Sequence, residues 1–367
     1  SINNIINKNL KLNQLKELNI ETLLSRKVVK PIKELIDQNI ENKTLLISGA
    51  GGSIGSELSS IISNNNPKKI ILLDKSEFNL YKVFNELIGK HPKLLIVPVL
   101  CSVQDNNNFE NIFKQNKIDV FFHAAAYKHV DLVEKNFFYS LKNNILGTIN
   151  AMKLSIKYEV KNFVLISTDK AVRPTNYMGA SKRFAELMLI HFSKYYKLKH
   201  ATNFCAVRFG NVIGSSGSVI PLFENQINNG GPVTVTDKRI QRYFMTINEA
   251  AELVIQASSL SKSGDIFVLD MGQPVLIDEI AKKMINLKGY NLVSNKKSEN
   301  DIEIKYTGLR PGEKLYEELF INNNNKKTNH PKIFNANESY LKIDDNFNDI
   351  IDKIENYLNN YKKENII

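Results

Sequence analysis

The stretch KTLLISGAGGSIGSEL, residues 43–58, limits the fold more than any other part of the chain. Its apolar run at 44–48 reads as a buried strand, and a helix-length stretch opens at about Ser53. Gly49, Gly51, Gly52 and Gly55 stand between and just inside them. A glycine-rich turn from strand into helix is how dinucleotide-binding folds meet a pyrophosphate. Gly49 suits the tight turn, Gly51 and Gly52 let the backbone approach the phosphates, and Gly55 lets the helix pack close on the sheet. The helix N-terminus, with Ser53 and Ile54 in its first turn, offers free N–H groups and partial positive charge.

The same alternation continues along the chain. Apolar runs at 68–74, 93–100, 118–126, 160–168 and 200–212 read as further strands, most of them separated by helix-length segments. Strands alternating with helices predict an α/β fold with a Rossmann-like, doubly wound parallel sheet. After about residue 210 the pattern loosens, glycine and proline cluster, and helix-like pieces follow at 248–260 and 276–288. The segments NLVSNKKSEN and 321–331 read as loops, and the tail from 348 as helical. The predicted division is an N-terminal helical arm (1–42), a nucleotide-binding domain (43–212), a smaller substrate-binding α/β region (213–340) interleaved with that core, and a helical tail (341–367).

Composition excludes several classes. Hydrophobic residues make up 43% and charged ones 24%, values of an ordinary globular protein that builds its core without disulfides. Cys101 and Cys205 have no metal-ligand spacing and read as reduced core residues, which fits a cytoplasmic setting. The net charge of +11 comes from scattered lysines rather than a basic stripe interleaved with aromatics, so nucleic acid is not the expected partner. No stretch reaches the roughly 18 apolar residues of a membrane span. The chain begins at Ser1, which suits a fragment of something longer.

Asp74 ends the second strand, 19 residues after Gly55. A carboxylate there accepts hydrogen bonds from adenosine ribose hydroxyls and repels a 2′-phosphate, which favours NAD over NADP. Lys75 beside it weakens that preference, because a cation there could offset a phosphate.

Together, the glycine spacing, HAAA at 123–126, NNILGT at 143–148 and the helix carrying Lys182 resemble the extended short-chain dehydrogenase/reductase family. In that family the lysine binds the nicotinamide ribose. A tyrosine one turn before it exchanges a proton with substrate. Here position 178 is Met178, and the nearby Tyr177 is offset by about 100° around a helix. The resemblance also implies cofactor contacts from Ser76, Ser102, Val103, Ala124, Ala125, Ala126 and Asn144. Ser102 and Asp131 depart from the family pattern, which has aspartate and proline there.

A narrower resemblance accounts for Met178. The segments FFHAAAYKHVDLVE, LISTDKAVRPTNYMGASKR, VRFGNVIGSSGSVIPLF, RYFMTINEAAELV, LDMGQPVLIDEIA and GLRPGEKLYEELF are similar to UDP-N-acetylglucosamine 4,6-dehydratases. They are closest to the long, often membrane-anchored bacterial type in which methionine replaces the tyrosine. That resemblance implies internal hydride transfer through NAD from sugar carbon 4 to carbon 6, with loss of water and retention at carbon 5. It places the proton chemistry on Thr168, Asp169 and Lys170. Asp169 would be the acid at carbon 6, Lys170 the base at carbon 5, and Thr168 would hydrogen-bond the carbon 4 oxygen. Met178 then forms an apolar wall, and Tyr177 has no catalytic part.

For the dianionic substrate, the resemblance implies contacts from Arg242 and Arg310 to the diphosphate and from Asn211 near it. Val219 and Glu313 join this set, with Lys128 and His129 on the sugar side. No metal is expected. A homodimer or a multiple of one, pairing through helices near 134–156 and 178–196, is expected. So is a cytoplasmic place in bacterial glycan biosynthesis, at the cytoplasmic face of the inner membrane if the native protein is longer. Two alternatives stay open: a nucleotide-sugar 4-epimerase or reductase on the same scaffold, and a catalytically inactive NAD-binding scaffold protein.

Overall fold

The computed structural model describes residues 29–195, 201–296, 298–321, 325–338 and 346–360. These form two compact units. Among the described residues, the larger takes those of Pro31–Phe209, those of Ala250–Asp270 and those from Glu318 on, and the smaller takes those of Gly210–Glu249 and Met271–Glu317. The expected arm at 1–42 is described only from residue 29, where a helix, α1 (Lys33–Ile40), precedes the first strand.

The larger unit is built on β1 (Thr44–Ser48), β2 (Lys69–Asp74), β3 (Ile96–Leu100), β4 (Val120–His123), β5 (Asn162–Ile166), β6 (Asn203–Arg208) and β7 (Asp265–Leu269). Two short strands, β8 (Lys326–Lys327) and β9 (Ile333–Asn335), complete the sheet. The order is β8-β9-β7-β6-β5-β4-β1-β2-β3. Strands β1 to β7 all pair in parallel, and β9 runs antiparallel on β7. The order reverses between β1 and β4, which makes the crevice at their carboxyl ends the place for a ligand.

Burial explains why these runs are strands. Every residue of β1 and β4 is buried, as expected of a parallel sheet covered on both faces. Edge strand β3 is buried only at Ile96, alternates half-buried and exposed residues after it, and carries Pro98, which a central strand would not tolerate. Helices α2 (Ser53–Ser63), α3 (Glu77–Lys90), α4 (Asn106–Gln115), α5 (Gly147–Lys157) and α6 (Tyr177–Tyr195) cover the sheet. Phe121 anchors the core, with Phe163 edge-on at 5.2 Å and Phe109 at 6.1 Å.

The smaller unit holds a parallel three-stranded sheet of Asn291–Val293, Asp301–Tyr306 and Val233–Val235. Helices Val219–Asn228 and Ile277–Leu287 share its apolar core with Phe223, Ile280 and Ile302. Separate short pairs join Asn211–Ile213 to Phe244–Thr246 and Gln241–Arg242 to Val275–Leu276.

The sequence reading needs correcting in four places. The run at 200–212 is not one strand: β6 ends at Arg208, and Asn211–Ile213 pairs in the smaller unit. Strand β7 was not expected, because its run of four apolar residues, Ile266 to Leu269, does not distinguish strand from buried helix. NLVSNKKSEN is not all loop, since Asn291–Val293 pairs with Asp301–Tyr306. Within 321–331, Lys326–Lys327 pairs with β9, while 322–324 lie outside the described residues. The helical pieces appear at Ile247–Leu260 and Ile277–Leu287, and the tail forms a helix over Phe347–Asn360.

Candidate active site

The glycine turn is as tight as the residues predict. Gly49 has φ +68°, and a Cβ there would lie 2.8 Å from the Ala125 backbone. A Cβ on Gly55 would lie 2.0 Å from the Gly49 carbonyl, so only glycine lets α2 start this close to β1. Gly51 serves differently from expectation. Its missing side chain makes room for Asn79 of α3, and its N–H donates to Asp74 Oδ2 at 2.9 Å. Gly52 caps α2, and a Cβ there would meet only the Gly49 carbonyl, at 3.2 Å. Its flank is otherwise open to a ligand. Ser53 and Ile54 follow in the first turn of the helix.

Asp74, buried at the end of β2, also accepts from the Ser76 N–H at 2.9 Å through Oδ1. Each carboxylate oxygen therefore keeps acceptor capacity for a hydroxyl. The Ser76 hydroxyl caps α3 by accepting from the Asn79 N–H. Ser102 follows β3 and accepts from the Gln104 N–H at 3.3 Å, and Val103 is packed against Gly147. Ala124, Ala125 and Ala126 follow β4, where the Ala124 N–H donates to Ser48.

Asn144 lies in a π-helical turn, Lys142–Leu146, and is 2% exposed. Its amide brackets the Tyr127 backbone, accepting from the N–H at 2.8 Å and donating to the carbonyl at 3.0 Å. It also donates to Ser181 of α6 at 3.1 Å. It thereby fixes the loop that carries Lys128 and His129, two exposed residues just before the short helix Val130–Lys135. A buried chain absent from the sequence reading lies alongside: Ser48 Oγ to His123 Nδ1 at 2.8 Å, and His123 Nε2 to Thr148 at 3.1 Å.

The end of β5 brings the expected triplet together. Asp169 is fully buried and opens a short 3₁₀ turn, Asp169–Ala171. Its Oδ1 accepts from the Thr168 hydroxyl and from Lys170 Nζ, each at 2.9 Å. Its Oδ2 is buried and has no hydrogen-bond partner among the described residues. A carboxylate oxygen left bare in the interior is costly.

Helix α6 seats against this turn because residue 179 is glycine. A Cβ there would lie 2.3 Å from the Lys170 carbonyl. One turn on, Lys182 is buried and donates to the Ile166 carbonyl at 2.9 Å. Burial pushes its pKa down to about 8, with Glu186 pulling the other way. Met178 is buried. Tyr177 is 46% exposed, and its ring stacks on Phe137 at 5.3 Å.

A second group that sequence reasoning missed is a buried ion cluster. Glu186 binds Arg208, Arg183 and the Ser167 hydroxyl, and Arg208 reaches on to Glu338. Burial would raise the Glu186 carboxyl pKa, but Arg208 outweighs it and holds the pKa low. One signal was available: an arginine inside an apolar strand, between Val207 and Phe209, needs a buried partner.

The remaining predicted residues belong to the smaller unit. Arg242 is buried, donates to the carbonyls of Gln241 and Leu315, and lies 3.4 Å from Glu313 and 3.8 Å from Glu317. Glu313 accepts from the Arg310 N–H at 3.1 Å, which closes the exposed RPGE turn. Asn211 donates its N–H to the Tyr243 carbonyl, and Val219 begins its helix. Cys101 and Cys205 are buried and unlinked, and burial pushes their thiols up to about 11 and about 12. Among the described residues no His, Cys, Asp and Glu group could hold a metal, and no helix is long and apolar enough to cross a membrane.

The family described as "Polysaccharide biosynthesis protein" matches residues 45–338. The chain is 44% identical over 369 residues to the capsular polysaccharide biosynthesis protein CapD of Staphylococcus aureus, covering all of this chain and 59% of that protein. It spans half to three-fifths of the first two curated relatives it matches. It is 34% identical to a Rickettsia canadensis UDP-glucose 4-epimerase, covering 76% of this chain and 77% of that one. The solved structure of Pen from Bacillus thuringiensis superposes with a TM-score of 0.71 at 34% identity, over 81% of this chain and 90% of that chain. The chain therefore belongs to the polysaccharide biosynthesis protein family of extended short-chain dehydrogenases/reductases.

Proposed function

We propose that this chain is a nucleotide-sugar 4,6-dehydratase that uses bound NAD to convert UDP-N-acetylglucosamine into its 4-keto-6-deoxy product. One observation carries the reading: the buried Asp169 carboxylate has one oxygen held by Thr168 and Lys170 and the other bare. A dehydration with no net redox change needs a group that accepts a proton and later returns it to a leaving hydroxyl.

The glycine turn fits the dinucleotide, with an open flank at Gly52 and spare acceptor capacity on Asp74. NAD, when bound, would accept the hydride from sugar carbon 4 and return it at carbon 6. Lys182 would hold the nicotinamide ribose. Thr168 Oγ1 already donates to Asp169, so it can accept the proton of the carbon 4 hydroxyl while passing its own to Asp169. Met178 has no exchangeable proton, which leaves this relay as the acceptor. Asp169 then protonates the leaving carbon 6 hydroxyl. Lys170, as the free amine, removes the proton from carbon 5, made acidic by the neighbouring ketone, and returns it to carbon 5 when the hydride reaches carbon 6. Arg242, Arg310 and Asn211 would hold the diphosphate of the UDP-sugar, and Lys128 the sugar side.

The second reading, a 4-epimerase, is favoured by the similarity to the Rickettsia protein. Incubation with NAD and UDP-N-acetylglucosamine separates the two. A 4-keto-6-deoxy product absorbing in alkali, without net NADH, supports the dehydratase; an epimerised sugar, or no change, overturns it. Asp169→Asn should keep NAD binding and lose turnover by about 10²- to 10⁴-fold.

A further inference from the structure

Asp74 ends β2 and Lys75 follows it with the opposite charge, yet no ion pair joins the two among the described residues. Lys75 Nζ instead lies 3.7 Å from the centroid of the Tyr127 ring and donates to the Tyr127 hydroxyl. The ring stands on a fixed base. Asn144 holds the Tyr127 N–H and carbonyl, and is braced by Ser181. Asp74 meanwhile spends one acceptor position of each oxygen on backbone N–H groups.

We infer that Tyr127 is a coenzyme-specificity residue: by holding the Lys75 ammonium on its ring, it leaves the Asp74 carboxylate uncompensated and so adds to the preference against a ribose 2′-phosphate. The inference rests on the reading that Asp74 meets the adenosine ribose of a nicotinamide coenzyme. Two ribose hydroxyls can donate to the free acceptor positions of Asp74. A dianionic phosphate there needs a cation, and the next residue's cation is already engaged. An ammonium over an aromatic face is attracted by the ring quadrupole. Moving it to a phosphate forfeits that attraction. Asn144 grips the Tyr127 backbone and not its ring, so a side-chain substitution leaves the loop in place.

The test measures dissociation constants for NAD and NADP with the whole chain and its Tyr127→Leu, Lys75→Ala and doubly substituted variants. Tyr127→Leu should narrow the NAD preference by about twofold to fivefold, the size of an exposed cation–π contact. Lys75→Ala alone should leave the preference nearly unchanged. In the Tyr127→Leu background it should restore the wild-type preference, a coupling that only the freed ammonium explains. An unchanged ratio in Tyr127→Leu, or a shift that survives Lys75→Ala, overturns the inference and leaves the coenzyme reading standing. Wild-type protein that binds neither coenzyme, or NADP more tightly, overturns both.

Discussion

Arg208 clasps Glu186 with two parallel hydrogen bonds, Nε to Oε1 and Nη2 to Oε2, each 2.6 Å long. Both side chains are fully buried. The pair ties the end of β6 to the middle of α6. Each partner is one step from the catalytic candidates. Ser167, which donates to Glu186 at 2.7 Å, precedes Thr168. Phe209, which follows Arg208, accepts the Asp169 N–H at 3.1 Å. The cluster is thus the frame on which the Thr168-Asp169-Lys170 triplet hangs, and Lys182 sits one helical turn before Glu186.

Glu186→Gln keeps the shape and removes the charge that answers Arg208. A buried pair broken on one side costs about 3–5 kcal/mol, and here Arg208 and Arg183 would be left to share the single carboxylate of Glu338. The denaturant midpoint should fall accordingly, with an unchanged slope. A loss below about 1 kcal/mol would mean that Glu338 and water compensate Arg208 alone, and the framing role would fail.

Tyr177→Phe should leave turnover near the wild-type value and change stability by no more than about 0.5 kcal/mol. The Tyr177 ring stacks on Phe137 at 5.3 Å, and phenylalanine preserves that stacking. Steady-state kinetics with the UDP-sugar check this. A large loss in kcat would return Tyr177 to the proton chemistry and displace the relay through Thr168.

The legible and illegible parts of the chain differ by the range of the interaction. Residues 44–55 declare a strand, a turn and a helix because each demand is local: continuous apolar residues, then glycines where a Cβ would strike backbone. The triplet at 168–170 was legible by resemblance, and its position after β5 follows from strand alternation. What stayed hidden is held by distant partners. Glu186 reads as an ordinary helix surface charge until Arg208, 22 residues on, and Glu338, 130 beyond Arg208, close around it. His123 reads as the edge of a motif, and Asn144 only as an implied cofactor contact, until the fold brings Ser48 and Thr148 to the one and Tyr127 to the other. Strand β7 escaped because a four-residue apolar run lacks the length to show its period.

His123 makes the fold acid-sensitive. Thr148 gives its hydroxyl proton to the Asn144 carbonyl at 2.6 Å, so it must accept from His123 Nε2–H. Nδ1 then accepts from Ser48. The neutral ring is fully satisfied as it stands. Burial, with the Lys182 charge adding to it, pushes the pKa down from 6.5 to about 3. In the unfolded chain the imidazole takes up its proton near pH 6.5, and in the folded chain only near pH 3. Stability is therefore lost as pH falls through that window, with a slope approaching about 1.4 kcal/mol per pH unit from this group. His123→Gln removes the titrating group. Denaturant unfolding of both proteins between pH 7 and pH 4 should show curves that diverge at neutral pH and converge toward acid. Curves that stay parallel would mean that His123 titrates alike in both states, and the burial argument for it would be wrong.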